Sequence, residues 1–249
     1  VSIKIREFDM RSVFPSSTWI ILGPPGSGKT TFVENLVRMN AHRYPVCRVN
    51  TSIPTAYKRY CEIFPSVCVF NEFDESEETK FIERQTSMAL KYDNPGRFAV
   101  YILDDIKKFG YGGAFFKDLF QKGSRHYNLL TILVNQNALE FPPALRNATT
   151  YTVIFKFKNE ADKKKLYENY GSRTLFGSFN NFVAITDELT NNYTCVIIKN
   201  LLTEYEDDDI FSRVFYYKLK YDMSLWKFGC NELQKLSVRQ LDPNISEFP

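Results

Sequence analysis

The chain has 249 residues, 44% hydrophobic and 24% charged, with a formal net charge of +3. That length suits one α/β domain with appendages, and the near balance of charge gives no global argument for a nucleic-acid partner. Five cysteines (Cys47, Cys61, Cys68, Cys195, Cys230) without a C-x-x-C pair argue against a disulfide framework and a zinc module, and fit a reducing compartment. No basic-then-apolar leader is visible and no apolar run approaches the ~20 residues of a membrane span, so a soluble intracellular protein is expected.

Residues Val1 to Arg6 alternate apolar and polar and read as a half-exposed strand. Trp19-Ile20-Ile21-Leu22 reads as a short buried strand. Gly23-Pro24-Pro25-Gly26-Ser27-Gly28-Lys29-Thr30 follows and fits G-x-x-x-x-G-K-[ST] with every fixed position filled; helical spacing runs on from Thr31 to about Asn40. Strand, glycine turn and helix start are what a nucleoside triphosphate needs. Glycines let successive N–H groups point inward, and the helix N-terminus adds partial positive charge. Gly23 to Thr31 are the expected nucleotide-binding residues, with Lys29 reaching the β- and γ-phosphates and Thr30 offering its hydroxyl to Mg²⁺. Mg-ATP is the expected ligand.

Further along, Val46 to Asn50 and Val67 to Phe70 read as short strands, with a turn or short helix over Ile53 to Phe64. An acidic stretch, Glu72 to Glu78, opens a long helix that ends before Asn94-Pro95-Gly96. Phe98 to Leu103 is a fully apolar strand ending in Asp104-Asp105, and a glycine-rich loop, Lys107 to Gly113, leads to a helix over Phe115 to Lys122. Leu129 to Val134 is the next buried strand, ending in Asn135-Gln136-Asn137, and Phe141-Pro142-Pro143 breaks the chain before a strand from Tyr151 to Phe157. Asn159 caps a helix through Asn169 closed by Gly171, and Phe179 to Leu189 has helical spacing. Strands follow at Tyr193 to Ile198 and Val214 to Tyr217, separated by an acidic loop, Glu204 to Asp209. Residues 1–220 read as the ATPase domain and 221–249 as a C-terminal helix and tail on or extending from it.

Short apolar strands alternating with helices imply a three-layer α/β fold: a mostly parallel central sheet, helices on both faces, and peripheral antiparallel strands. In such sheets the ligand sits at the carboxyl ends of the strands, where the P-loop, Asp104-Asp105 and Gln136 all fall. Asp104 is placed as the second Mg²⁺-positioning acid, the Walker B position. Asp105 can orient and deprotonate the water that attacks the γ-phosphate, which favours hydrolysis over transfer to an acceptor. The long separation of Lys29 from Asp104 leaves room for extra strands, as in ATPases of the additional-strand class. Gln136 can hydrogen-bond the γ-phosphate or the lytic water. Arg125, opposite the carboxyl end of its strand, is either a surface residue or an arginine finger supplied in trans, with Arg146 the competing finger. Lys107, Lys108 and Tyr111 lie on a glycine-rich loop whose lysines suit phosphates, as a DNA contact or as a solvated face. Lys156, Lys158, Lys163, Lys164 and Lys165 make a second basic cluster open to the same two readings.

GPPGSGKT, the Ile-Leu-Asp-Asp strand, Ser-Arg-His-Tyr-Asn and Leu-Val-Asn-Gln-Asn, in this order and spacing, resemble the poxvirus-type genome-packaging ATPases of large double-stranded DNA viruses. These belong to the FtsK–HerA-like, RecA-like P-loop ATPases. The resemblance covers about Phe8 to Lys220 and implies a homo-oligomeric ring, of five or six subunits, that pumps double-stranded DNA into a capsid. It implies Arg125 as the finger, Gln136 as the sensor, and capsid or portal proteins as partners. It also implies the host cytoplasm, the virus factory or the virion as the location. Two departures stand out. The second acid is Asp105 where cellular translocases of this group usually carry Glu, and the strand ends in Asn-Gln where viral relatives often have Ser-Gln. The rival readings are a nucleoside or nucleotide kinase and an AAA+-type remodelling ATPase. The first lacks an Arg-rich lid segment here, and the second needs a helical lid where this chain returns to strands. A third rival, a scaffold that binds ATP only to assemble, sits badly with the Asp104-Asp105 pair.

Overall fold

Apolar runs of five to seven residues bury both faces only as strands inside a sheet that helices cover on either side. A computed structural model describes residues 5–91, 97–106, 111–137, 139, 141–171, 173–200, 210–221 and 226–241, with the side chains of 121–125, 173–174, 211 and 239–241 excepted. In chain order, β1 (Arg6–Glu7), β2 (Thr18–Leu22), α1 (Lys29–Asn40), β3 (Val46–Thr51), α2 (Pro54–Ile63), β4 (Val69–Phe70) and α3 (Glu75–Ala89) come first. Then follow β5 (Ala99–Asp104), α4 (Ala114–Tyr127), β6 (Leu129–Asn135), α5 (Pro143–Ala148), β7 (Tyr151–Ile154) and α6 (Glu160–Tyr170). The chain continues through α7 (Arg173–Phe176), α8 (Phe179–Leu189), β8 (Thr194–Lys199), α9 (Ile210–Arg213), β9 (Val214–Lys218) and α10 (Asn231–Leu241).

The strands form one sheet in the order β1-β9-β8-β7-β2-β6-β5-β3-β4. Every pairing is parallel except those of β8, which runs against both β7 and β9. The reversal therefore falls on one strand inside the sheet rather than on its edges. The residues between Lys29 and Asp104 supply β3 and β4, on the far side of β5. The strand interposed between β2 and β5 is β6, which follows Asp104 in the chain.

Alternation sorts the strand side chains into two layers. Trp19 and Ile21 face Phe32 and Leu36 of α1 and Tyr60 and Ile63 of α2, while Ile20 and Leu22 face Phe81 of α3, Phe116 of α4 and Phe182 of α8. Rings fill both layers of this chain, which is 16% aromatic. Trp19 stacks on Tyr151 with centroids 4.2 Å apart, and Phe8 meets both edge-on. Across the sheet, Phe73, Phe116 and Tyr111 form a second ring cluster.

Two helices differ from the sequence reading. The polar run Gly123-Ser124-Arg125 belongs to α4, which continues to Tyr127, and Pro143 starts α5 instead of ending structure. Pro at the first helical position needs no N–H partner. The carboxyl-terminal α10 lies near α2: the Phe228 amide donates to Ile63 O at 2.8 Å, and Ser66 Oγ donates to Ser237 O. No helix among the described residues is long and apolar enough to cross a membrane.

Candidate active site

Sheet register brings the chemistry to one edge. Leu22 pairs with Asn135 and with Ile154, and Asp104 with Val134, so β7, β2, β6 and β5 end side by side. Gly23 leaves β2 with its amide donating to Asn135 O, and the loop from Gly23 to Gly28 curls into the first turn of α1. Gly26 and Gly28 have φ of +73° and +103°, where an L side chain is strained. Gly28 has a second constraint: a Cβ there would collide with Leu219 Cδ1, whereas a Cβ on Gly26 meets nothing within 4 Å. Gly28→Ala is therefore expected to cost about 2–4 kcal/mol, from left-handed strain plus a side-chain clash, and Gly26→Ala only about 1–2. Urea unfolding of the two variants, each against the native chain, checks the order; equal losses would remove the steric part.

Lys29 folds back over the loop, and its Nζ donates to Gly23 O at 2.8 Å and Pro24 O at 2.9 Å. Behind it Asp104 is almost fully buried. Burial pushes its carboxyl up to about 6; the Tyr60 hydroxyl and the Lys29 charge pull the other way, and Asp105 adds to the rise. Tyr60 on α2 donates to Asp104 Oδ2 at 2.9 Å and is also hydrogen-bonded to Thr30. Its own phenol is pushed well above the ordinary value, by burial first and by the Asp104 carboxylate second. Thr30 and Asp104 thus share a partner and offer hard oxygen donors, a set that fits a small divalent ion such as Mg²⁺. Among the described residues no group of three His, Cys, Asp or Glu side chains could hold a metal.

Asp105 follows with φ +55°, a left-handed non-glycine residue. Three bonds hold it there: its amide donates to Val134 O at 3.0 Å, Ser52 Oγ donates to its carbonyl, and Gln136 Nε2 donates to Oδ2 at 2.8 Å. Two residues placed separately by the sequence thus meet in one hydrogen bond. Tyr60 and Arg59 were not foreseen. The buried spacing Ala56, Tyr60, Ile63 marks the inner face of α2, yet nothing in that spacing points to Asp104.

The remaining candidates divide. Arg125 sits near the end of α4, before the amino end of β6, and its side chain lies outside the described set. Arg146 Nη1 donates to Phe141 O at 2.7 Å, and its guanidinium lies 5.8 Å from the Tyr170 ring centre. Lys107 and Lys108 lie outside the described residues. Tyr111 is a correction: it is 4% exposed, packed against Phe116 and Phe141, so it is a core side chain and not a surface contact for DNA. The second basic cluster is partly neutralised, since Lys163 pairs with Asp187 at 2.6 Å and Lys165 with Asp162 at 3.5 Å.

Two clefts open at this edge. One, of about 460 Å³, runs from Gly26 over Lys29, Thr30 and Asp104 to Arg59. The other, of about 790 Å³, shares Gly26 and Gln136 with it and extends to Lys156 and Lys158. Arg59, the one arginine among the described residues lining them, is tied to Glu34 at 2.7 Å and Glu62 at 2.9 Å.

Comparison with known proteins bears on the fold and the family. The chain is 31% identical over 256 residues to uncharacterized protein 075L of Invertebrate iridescent virus 6, covering 98% of this chain and 96% of that protein. It is 29% identical to uncharacterized protein 088R of Invertebrate iridescent virus 3, covering 98% and 97%. Among solved structures, the genome packaging NTPase B204 from Sulfolobus turreted icosahedral virus 2, in complex with ATP-gammaS, superposes with a TM-score of 0.58. Identity is 12%, over 84% of this chain and all of that one. The pCW3 conjugation coupling protein TcpA with ATPgS gives a TM-score of 0.60 at 12% identity, over 92% of this chain and 66% of that one. These two share the fold. The sequence profile described as "Poxvirus A32 protein" matches residues 6–212, and with it this chain belongs to the poxvirus A32 protein family of P-loop ATPases.

Proposed function

We propose that this viral packaging ATPase is a motor that drives double-stranded DNA into a capsid, hydrolysing Mg-ATP at sites shared between neighbours in a ring. The observation that carries the reading is the meeting of Lys29, Thr30, Asp104 and the Asp105–Gln136 pair at one sheet edge. In this reading the backbone amides of Gly23 to Thr31 bind the phosphates, and Lys29 exchanges its loop carbonyls for phosphate oxygens. Thr30 and Asp104 hold Mg²⁺, which supplies charge neutralisation on the phosphates. Asp105 takes the proton of the attacking water at its carboxylate, and Gln136 orients that carboxylate and the water.

Where the described arginines lie supports the reading of a site completed by a neighbour. Arg59 is committed to two carboxylates, and Arg146 to a carbonyl of its own chain. Arg125 lies before the amino end of β6, and that strand's seven residues, about 23 Å at ~3.3 Å per residue, separate it from the carboxyl edge. It is the better candidate for a finger acting in trans, and a ring of five or six subunits would supply one per site. Lys107 and Lys108 remain the proposed DNA contacts, and capsid or portal proteins the proposed partners.

The test is the steady-state ATPase rate against protein concentration, with and without double-stranded DNA, at two salt concentrations. The rate per subunit is expected to rise with concentration and with DNA, and to lose the DNA effect at high salt as phosphate contacts weaken. A rate flat in all three, with γ-phosphate passed to nucleosides, would replace the motor with a kinase.

A further inference from the structure

Two aromatic side chains stand exposed at the mouth of the P-loop cleft. Tyr193 is 57% exposed and Tyr221 59%, and their rings meet edge-on with centroids 5.6 Å apart at 81°. Both line the 460 Å³ cleft beside Lys29, Thr30 and Thr31, and the hydroxyls of Thr31 and Tyr221 are hydrogen-bonded to each other.

The backbone that presents Tyr193 is unusual. Asn192 and Tyr193 are consecutive left-handed residues, with φ of +53° and +56°. Asparagine tolerates that region; a tyrosine enters it only against strain, where glycine would be free of it. The conformation is held by the Leu219 amide, which donates to Tyr193 O at 3.0 Å, and by the Thr194 amide on Asn191 O at 3.1 Å. Leu219 and Tyr221 flank Lys220, whose amide and carbonyl are both bound by the Asn35 side chain of α1. The two rings, far apart in sequence, are thus carried on supports that α1 itself fixes. Strained presentation and aromatic surface left in water point to a flat ligand that would cover it.

We propose that Tyr193 and Tyr221 form an L-shaped platform for the purine base of a nucleoside triphosphate, which lies on the face of one ring and meets the other edge-on while its phosphates occupy the P-loop. This rests on the ATP-binding reading above and goes further, because it assigns the base. One stacked face and one edge-on ring at 81° sense the size of a base and not its hydrogen-bonding edge. ATP and GTP are therefore held alike, and CTP more weakly.

The experiment is calorimetric titration of the native chain and of Tyr193→Ala, Tyr193→Gly, Tyr221→Ala and Tyr221→Phe with ATP, GTP, CTP and inorganic tripolyphosphate. Each alanine variant is expected to bind ATP and GTP about tenfold more weakly, with tripolyphosphate affinity unchanged. Tyr193→Gly, which relaxes the backbone, loses the base in the same way, and Tyr221→Phe keeps most of the ATP affinity. Alanine variants that hold ATP within twofold of the native chain would overturn the platform, as would equal losses for ATP and tripolyphosphate. Failure of the deeper reading looks different: a native chain that binds neither ATP nor tripolyphosphate has no working P-loop, and the platform falls with it.

Discussion

Asp105→Asn is expected to keep ATP affinity within about twofold and to cut turnover by about 10²–10⁴-fold, the usual contribution of a positioned base. The substitution is chosen on conformation as well as chemistry. Position 105 sits at φ +55°, and asparagine is among the few L-residues that enter this region readily. Its side-chain oxygen can still accept from Gln136 Nε2, so the hydrogen bond now 2.8 Å long is retained. What disappears is the negative charge and the capacity to take a proton. Glutamate keeps the charge but adds a methylene and suits the left-handed backbone less well. Asp105→Glu is therefore expected to lose turnover as well, by a smaller factor. Steady-state ATPase measurements beside equilibrium nucleotide binding separate the two effects. Turnover of Asp105→Asn within threefold of the native chain would move the base elsewhere.

The parts of this site that the sequence made legible are those coded by neighbours in the chain. A glycine turn between an apolar strand and a helix is a local pattern, and so are acids or amides that end buried strands. Distance across the sheet is another matter. Tyr60 donates to Asp104 across 44 positions, and Tyr193 meets Tyr221 at one end of the antiparallel pair β8 and β9. No periodicity records either meeting. Tyr111 was misread for a related reason. Glycines around it suggest a mobile loop, but a ring flanked by Phe116 and Phe141 gains more from burial than from display. The single reversed strand, β8, is equally silent: its direction follows from the connection through α6, α7 and α8, while its apolar run would suit either sense. At α4 the difficulty was composition. A glycine and a serine lower helix propensity, but Phe116, Leu119, Phe120 and Tyr127 keep one face of the helix in the core, and packing prevails.

Asp104→Asn is expected to act with opposite signs on stability and on catalysis. In the metal-free protein burial raises the Asp104 carboxyl from 3.8 to about 6, so between those values the folded chain binds more protons than the unfolded one. The stability this group contributes is fully present below pH 3.8 and is lost as the pH rises through about 6. At pH 8 the buried charge therefore costs up to about 3 kcal/mol, at ~1.4 kcal/mol per unit. Asparagine fills the same space, can accept from Tyr60, and carries no charge to desolvate. It should raise the unfolding free energy at pH 8 by about 1–3 kcal/mol, a gain of several degrees in Tm for a domain of this size, and do little at pH 4. In the proposed site the same change removes the anionic ligand that would be paired with Thr30, so Mg²⁺-dependent turnover should fall by at least about 10²-fold. Thermal unfolding in chelator at pH 4 and pH 8, beside ATPase assays across a Mg²⁺ titration, tests both halves. A loss of stability at pH 8 would mean that Asp104 is held by its neighbours for structure. A gain there, with turnover gone, would mark it as a charge kept buried at the expense of the fold because the phosphates and their metal require it.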